Sequence, residues 1–72
     1  MDGRQRSAIH RGLAVAIVLK KDQKNGRLTT GIVQEILTSA PVHSRGIKVR
    51  LADGQVGRVQ GPAELAADSQ PG

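Results

Sequence analysis

Gly46-Ile47-Lys48-Val49-Arg50-Leu51-Ala52-Asp53-Gly54-Gln55-Val56-Gly57-Arg58-Val59-Gln60 is the stretch that decides the fold. Ile47, Val49 and Leu51 alternate with Lys48 and Arg50. Successive side chains of a strand point to opposite faces, so three apolar groups turn to a core and two cations turn to solvent. Asp53-Gly54 supplies the reversal, because glycine accepts the positive φ that a tight hairpin turn requires. Val56, Arg58 and Val59 begin the return strand. Val56 and Val59 fall on opposite parities, so Gly57 between them reads as a bulge.

Outward from this hairpin the pattern stays β. Leu13 to Lys21 reads as the first strand, since β-branched residues dominate and the run is short for a helix. Leu13, Val15, Ile17 and Leu19 share one face, and Ala14, Ala16 and Val18 make the other face apolar too. A strand of this kind is expected to be covered on both sides or to meet a second copy of itself. Asn25-Gly26 marks a turn. Arg27 to Thr38 reads as a long second strand in which Ile32 and Ile36 share one parity and Val33 and Leu37 the other, with Gly31 as the expected bulge or sharp bend. Ser39 to Arg45 is a polar loop containing Pro41. Ile9 is placed to cap one end of the barrel. Ala63 to Ala67 has the composition of one helical turn, which is unstable alone in water.

Four strands in about fifty residues, with short turns and one bent strand, predict an all-β chain. The expected form is a small SH3-like barrel of four to five antiparallel strands with flexible termini. An OB-like barrel is the less fitting choice, because it calls for more residues and a helix after the third strand. The boundaries read as a disordered N-terminus over 1–6, a barrel domain over 7–60 and a flexible tail over 61–72.

Composition narrows the function. The 72 residues contain no Phe, Tyr, Trp or Cys. The core must therefore be aliphatic, and thiolate metal sites, cysteine nucleophiles and disulfides are excluded. The isoelectric point is about 10.9. Residues 1–60 carry eleven Lys and Arg against Asp2, Asp22, Glu35 and Asp53, a balance of +7. Such a surface attracts phosphate backbones. The candidate nucleic-acid-binding residues are Lys20, Lys21, Lys24, Arg27, Lys48, Arg50 and Arg58. The same cations could equally form a solvated face that protects strand edges. Without aromatic side chains, bases have no stacking platform, so contact with RNA is expected to be with phosphate and shape.

Chemistry beyond binding is poorly furnished. His10 and His43 lie in separate loops, and sequence adjacency to Ser44 makes no triad. A loop-capping role for His43 is the simpler reading. No ligand spacing for a metal and no phosphate-cradling glycine motif is present, so neither cofactor nor catalytic residue is expected. No apolar run approaches the length that spans a bilayer, and Lys20-Lys21-Asp22 follows the Leu13–Leu19 run without a cleavage site. The expected setting is the cytoplasm.

The runs Val15-Ala16-Ile17-Val18-Leu19-Lys20-Lys21-Asp22-Gln23, Gly26-Arg27-Leu28-Thr29-Thr30-Gly31-Ile32-Val33, Ile36-Leu37-Thr38 and 46–60 resemble the YwbE family of small bacterial proteins. The resemblance extends over about Arg4 to Gln60; it implies kinship and leaves function open. More weakly, Gly26…Gly31-Ile32-Val33…Ile36 is similar to the KOW element of RNA-contacting barrels. Two functional expectations result. One is a non-enzymatic module that contacts structured RNA or a ribosomal particle. The other is a protein-interaction module, or a homodimer, formed by strand addition or through the apolar strand 13–19.

Overall fold

Valine and isoleucine at alternate positions draw Ala14–Leu19 into the first strand, β1, and their inward faces hold the barrel together. In the computed structural model, which describes residues 2–68, β1 is followed by β2 (Thr29–Ile36), β3 (Lys48–Leu51) and β4 (Val56–Pro62). Each strand pairs antiparallel with the next, and β4 pairs back onto β1. The result is a closed four-stranded SH3-like barrel. A short helix, α1 (Glu64–Asp68), follows β4. Among the described residues, no helix is long and apolar enough to cross a membrane.

The core is wholly aliphatic. Val15, Ile17, Val33, Ile47, Val49, Leu51 and Val59 are fully buried, and Ile9 closes one end as its position suggested. Each such side chain stabilises the fold by roughly 1.5–3 kcal/mol when removed from water. The β3–β4 reversal is a three-residue loop. Leu51 N donates to Gln55 O at 2.8 Å, Gly54 N donates to Leu51 O at 2.9 Å, and Gly54 has φ +94°. A type I turn closed by a glycine in the left-handed region is the geometry for a loop of this length.

Two bulges are present, but neither falls on a glycine. On β2 the register shifts between Val33, opposite Leu51, and Glu35, opposite Arg50. Gln34 is therefore the extra residue, and Val33 and Ile36 both reach the interior. On β4 the partners step from Val59, opposite Ile17, to Gly61, opposite Ala16, leaving Gln60 as the extra residue. Gly31 and Gly57 serve packing instead. A Cβ on Gly31 would lie 2.6 Å from Leu51 Cδ1, and one on Gly57 would lie 2.6 Å from the Val18 carbonyl oxygen. Both glycines let a neighbour approach closer than any side chain permits.

The β4 bulge explains the second apolar face of β1. It turns Gly61 outward beside Ala16, and α1 packs over β1 and β4 there, with Leu65 against Gly61. Ala16 is fully buried as a result.

The ends of the chain also differ from expectation. Residues 2–6 run along the segment 41–47: Ile47 N donates to Gly3 O at 2.8 Å, His43 N to Arg4 O at 2.9 Å and Arg6 N to Pro41 O at 2.8 Å. Gly3 is buried. Gly61 and Pro62 belong to β4, and Glu64–Asp68 form α1 rather than tail. Backbone pairing, which composition does not report, fixes these segments. Residue 1 and residues 69–72, read as parts of the flexible termini, lie outside the described residues.

Candidate functional site

Arg58 stands among Lys20, Lys24, Arg45 and Lys48. Strand register places it opposite Val18 on β1 and opposite Lys48 on β3. Directly opposed side chains on one sheet face lie about 4.5–5.5 Å apart at Cβ, and like charges so placed repel. The Arg58 guanidinium is half-buried and held in place, with Nη1 donating to Gly46 O at 3.2 Å. Neither Lys48 nor Arg58 has an ion-pair partner: among the described residues the ion pairs are Arg4 with Asp2 and Arg50 with Glu35. The barrel thus keeps two uncompensated cations side by side.

A groove runs through this pair. On one side Lys20, Gln23 and Lys48 stand around a floor of Val18, Val56 and Gly57. On the other side it continues past Lys24 and Gly26 to Arg45 and Gln60. Arg45 and Gln60 also border a further hollow that reaches Arg4 and Ser44. The one carboxylate along this path is Asp2, at the far end, and Arg4 already engages it.

Two loops deliver the flanking cations. After β1 the chain makes a 3-10 turn over Lys20–Asp22 and reverses at Asn25-Gly26. Gly26 N donates to Asp22 O at 2.8 Å, and Asn25 Oδ1 accepts from Arg27 N at 2.8 Å. The Asp22 side chain is buried beneath this turn and accepts from Asn25 Nδ2 at 3.5 Å. Lys20, Gln23 and Lys24 are thereby presented beside Arg58. In the second loop His43 Nδ1 accepts from Arg45 N at 3.1 Å, and His43 O accepts from Gly46 N at 3.0 Å. His43 is a loop-capping residue, and its turn projects Arg45 into the groove.

The seven cations singled out in the sequence separate into two groups. Lys20, Lys24, Lys48 and Arg58 line the groove. Lys21 and Arg27 are exposed outside it. Arg50 faces β2, where its Nη1 donates to Glu35. The two neighbours of β3 are the reason for the split: β2 brings a carboxylate opposite Arg50, whereas β4 brings a cation opposite Lys48. Arg45, Gln23 and Gln60 were not anticipated. Arg45 sits in what reads as plain loop, and the two glutamines carry no charge to mark them.

Other polar groups are structural. His10 Nδ1 donates to Arg11 O at 2.9 Å. No cluster of three or more His, Asp or Glu suited to a metal ion occurs among the described residues. The Gln55 backbone N–H, with help from its side-chain amide, holds the Asp53 carboxyl below the usual carboxylate range. The Arg4 backbone N–H and guanidinium do the same for Asp2.

Residues 2–61 match the model of a family described as "Uncharacterized conserved protein (DUF2196)". The chain belongs to the DUF2196 family. A relative in Bacillus subtilis strain 168, the uncharacterized protein YwbE, is 57% identical over 60 residues. That alignment covers 83% of this chain and 92% of the relative. No solved structure matches. The DUF2196 match takes in β1 to β3, all of β4 but Pro62, and every groove residue named above, and it ends before α1.

Proposed function

We propose that this DUF2196 barrel is a cytoplasmic, non-enzymatic RNA-binding module that grips the phosphate backbone of structured RNA, free or within a ribonucleoprotein. The observation that carries the reading is the uncompensated Lys48–Arg58 pair at the centre of a groove flanked by Lys20, Lys24 and Arg45. Holding two cations in register costs folding energy. Phosphates laid along the groove relieve that repulsion and release condensed counterions, which is the main source of affinity for a nucleic-acid backbone. The groove floor is aliphatic and offers nothing for a base to stack on. Recognition therefore favours helical RNA, read by backbone and shape, over extended single strands.

A protein-binding role draws less support. Closure of the barrel gives every strand a neighbour on both sides, which leaves strand addition only the parts of β2 that one neighbour does not reach. The apolar outer face of β1 is occupied by α1 at Ala16 and forms groove floor at Val18.

The test is a fluorescence-anisotropy titration with a labelled RNA hairpin at low salt. The wild-type protein is expected to bind, Lys48→Glu combined with Arg58→Glu to lose at least tenfold in affinity, and Arg27→Glu to bind like wild type. Absence of binding at low salt, or equal binding by the double variant, overturns the proposal.

A further inference from the structure

We infer that Gln60 distinguishes ribose from deoxyribose in this groove, an inference that rests on the phosphate-binding reading. Gln60 is the extra residue of the β4 bulge, so its side chain leaves the strand where the groove passes between Arg45 and Arg58. Its Nε2 donates to Arg45 O at 3.3 Å and to Arg58 O at 3.2 Å. Those two contacts settle the orientation of the amide. Carbonyl oxygens only accept, so the NH2 group must face them, and a flipped amide would set oxygen against oxygen.

The amide oxygen is left pointing away from both carbonyls, and Oε1 has no hydrogen-bond partner among the described residues. The Lys and Arg groups around it are all donors. A groove meant only for phosphate needs donors alone, because phosphate and sugar oxygens accept. An acceptor oriented among those donors is complementary to a backbone that also carries a donor. The ribose 2′-hydroxyl is that donor, and a DNA backbone has none. The bulge thus aims Oε1 at a hydroxyl beside the phosphates held by Arg45, Arg58 and Lys24.

The experiment compares an RNA hairpin with the same hairpin bearing 2′-fluoro sugars, which keep the A-form helix and lack the donor. Wild-type protein is expected to prefer RNA by about three- to tenfold, the range for one neutral hydrogen bond. In Gln60→Leu that ratio should fall to about one, whatever happens to absolute affinity. Equal wild-type affinity for the two hairpins overturns this inference and leaves the phosphate reading intact. A preference that persists in Gln60→Leu assigns the discrimination elsewhere and overturns the role of Gln60. If Gln60→Leu does not fold, Gln60→Met keeps the side-chain length and yields the same ratio. Failure of wild type to bind either hairpin at low salt removes the phosphate reading and this one with it.

Discussion

Replacing Gly57 by alanine should damage this barrel more than replacing Gly54, although only Gly54 has positive φ. At Gly54 a Cβ would meet nothing within 4 Å, so the cost is backbone strain at φ +94°. That strain is worth about 1–2 kcal/mol for an L-residue in the left-handed region. At Gly57 the new Cβ would lie 2.6 Å from the Val18 carbonyl oxygen and 2.9 Å from Ile17 Cδ1. Comfortable carbon-to-oxygen contacts between strands are about 3.3–3.6 Å, so β1 must retreat from β4 by most of an ångström. Ile17 is fully buried and has no open space to yield into. Overpacking of this kind costs about 1–3 kcal/mol, and a weakened ladder hydrogen bond adds about 1 kcal/mol. The reduced freedom of the unfolded chain returns about 0.4–1 kcal/mol. We expect a net loss of about 2–3 kcal/mol for Gly57→Ala. A chain of 72 residues has about 4–11 kcal/mol of stability in all. Thermal melts followed by far-ultraviolet circular dichroism suit a protein without aromatic residues. At about 4–8 °C per kcal/mol for a domain of this size, Gly57→Ala should lower Tm by roughly 10–20 °C and Gly54→Ala by roughly 5–15 °C. A Gly57→Ala protein as stable as wild type, or more stable than Gly54→Ala, would refute the close approach of β1 to β4.

Two further outcomes follow from the geometry. If Lys20, Lys24, Arg45, Lys48 and Arg58 each reach a phosphate, log affinity should fall against log salt with a slope of about −3.5 to −4.5, and Arg45→Ala should make it shallower by nearly one; an unchanged slope would remove Arg45 from the contact. Because the folded Asp53 carboxyl is held below its ordinary value, its contribution to stability is fully present above the unfolded carboxyl range near pH 4 and is lost as pH falls through the lower folded value. Asp53→Asn should therefore flatten the acid limb of the stability–pH curve, measured by urea titration between pH 2 and 6, and an identical limb in both proteins would count against the Gln55 interaction.

How far the sequence could be read depended on whether a feature was local or arose between strands. The hairpin over 46–60 was legible because alternation and the Asp53-Gly54 signal both act within one hairpin. Bulges do occur in both β2 and β4, but the opposite parities of Val56 and Val59 did not announce the one in β4: Val56 faces outward opposite Arg50, with no register shift before Val59. The bulge positions were misread at Gly31 and Gly57, because a register shift belongs to two strands and Gln34 and Gln60 carry no conformational signature. Glycine there answers a different need, which is set by Leu51 and by the Val18 backbone across the sheet. Of the candidate cations, Lys48 and Arg58 came together because they are hairpin neighbours. Lys48 and Arg50, adjacent in the sequence pattern, were divided by the strands on either side of β3: β4 sets Arg58 opposite one and β2 sets Glu35 opposite the other. The pairing of residues 3–6 with 41–47 left no trace in composition, since backbone amides make it.

Closure also sets an order of events for a nascent chain. One edge of β1 can pair as soon as residues 29–32 exist, but its other edge has no partner until residues 57–62 have been made. Throughout that interval Ala14–Leu19 is an apolar, valine- and isoleucine-rich strand with a row of open backbone groups, the kind of segment that recruits copies of itself. Lys20 and Lys21 lie immediately after it, where like charges on neighbouring chains oppose stacking. Lys21, outside the groove, sets its charge beside that strand from the moment both are made, before the strand that will cover it exists.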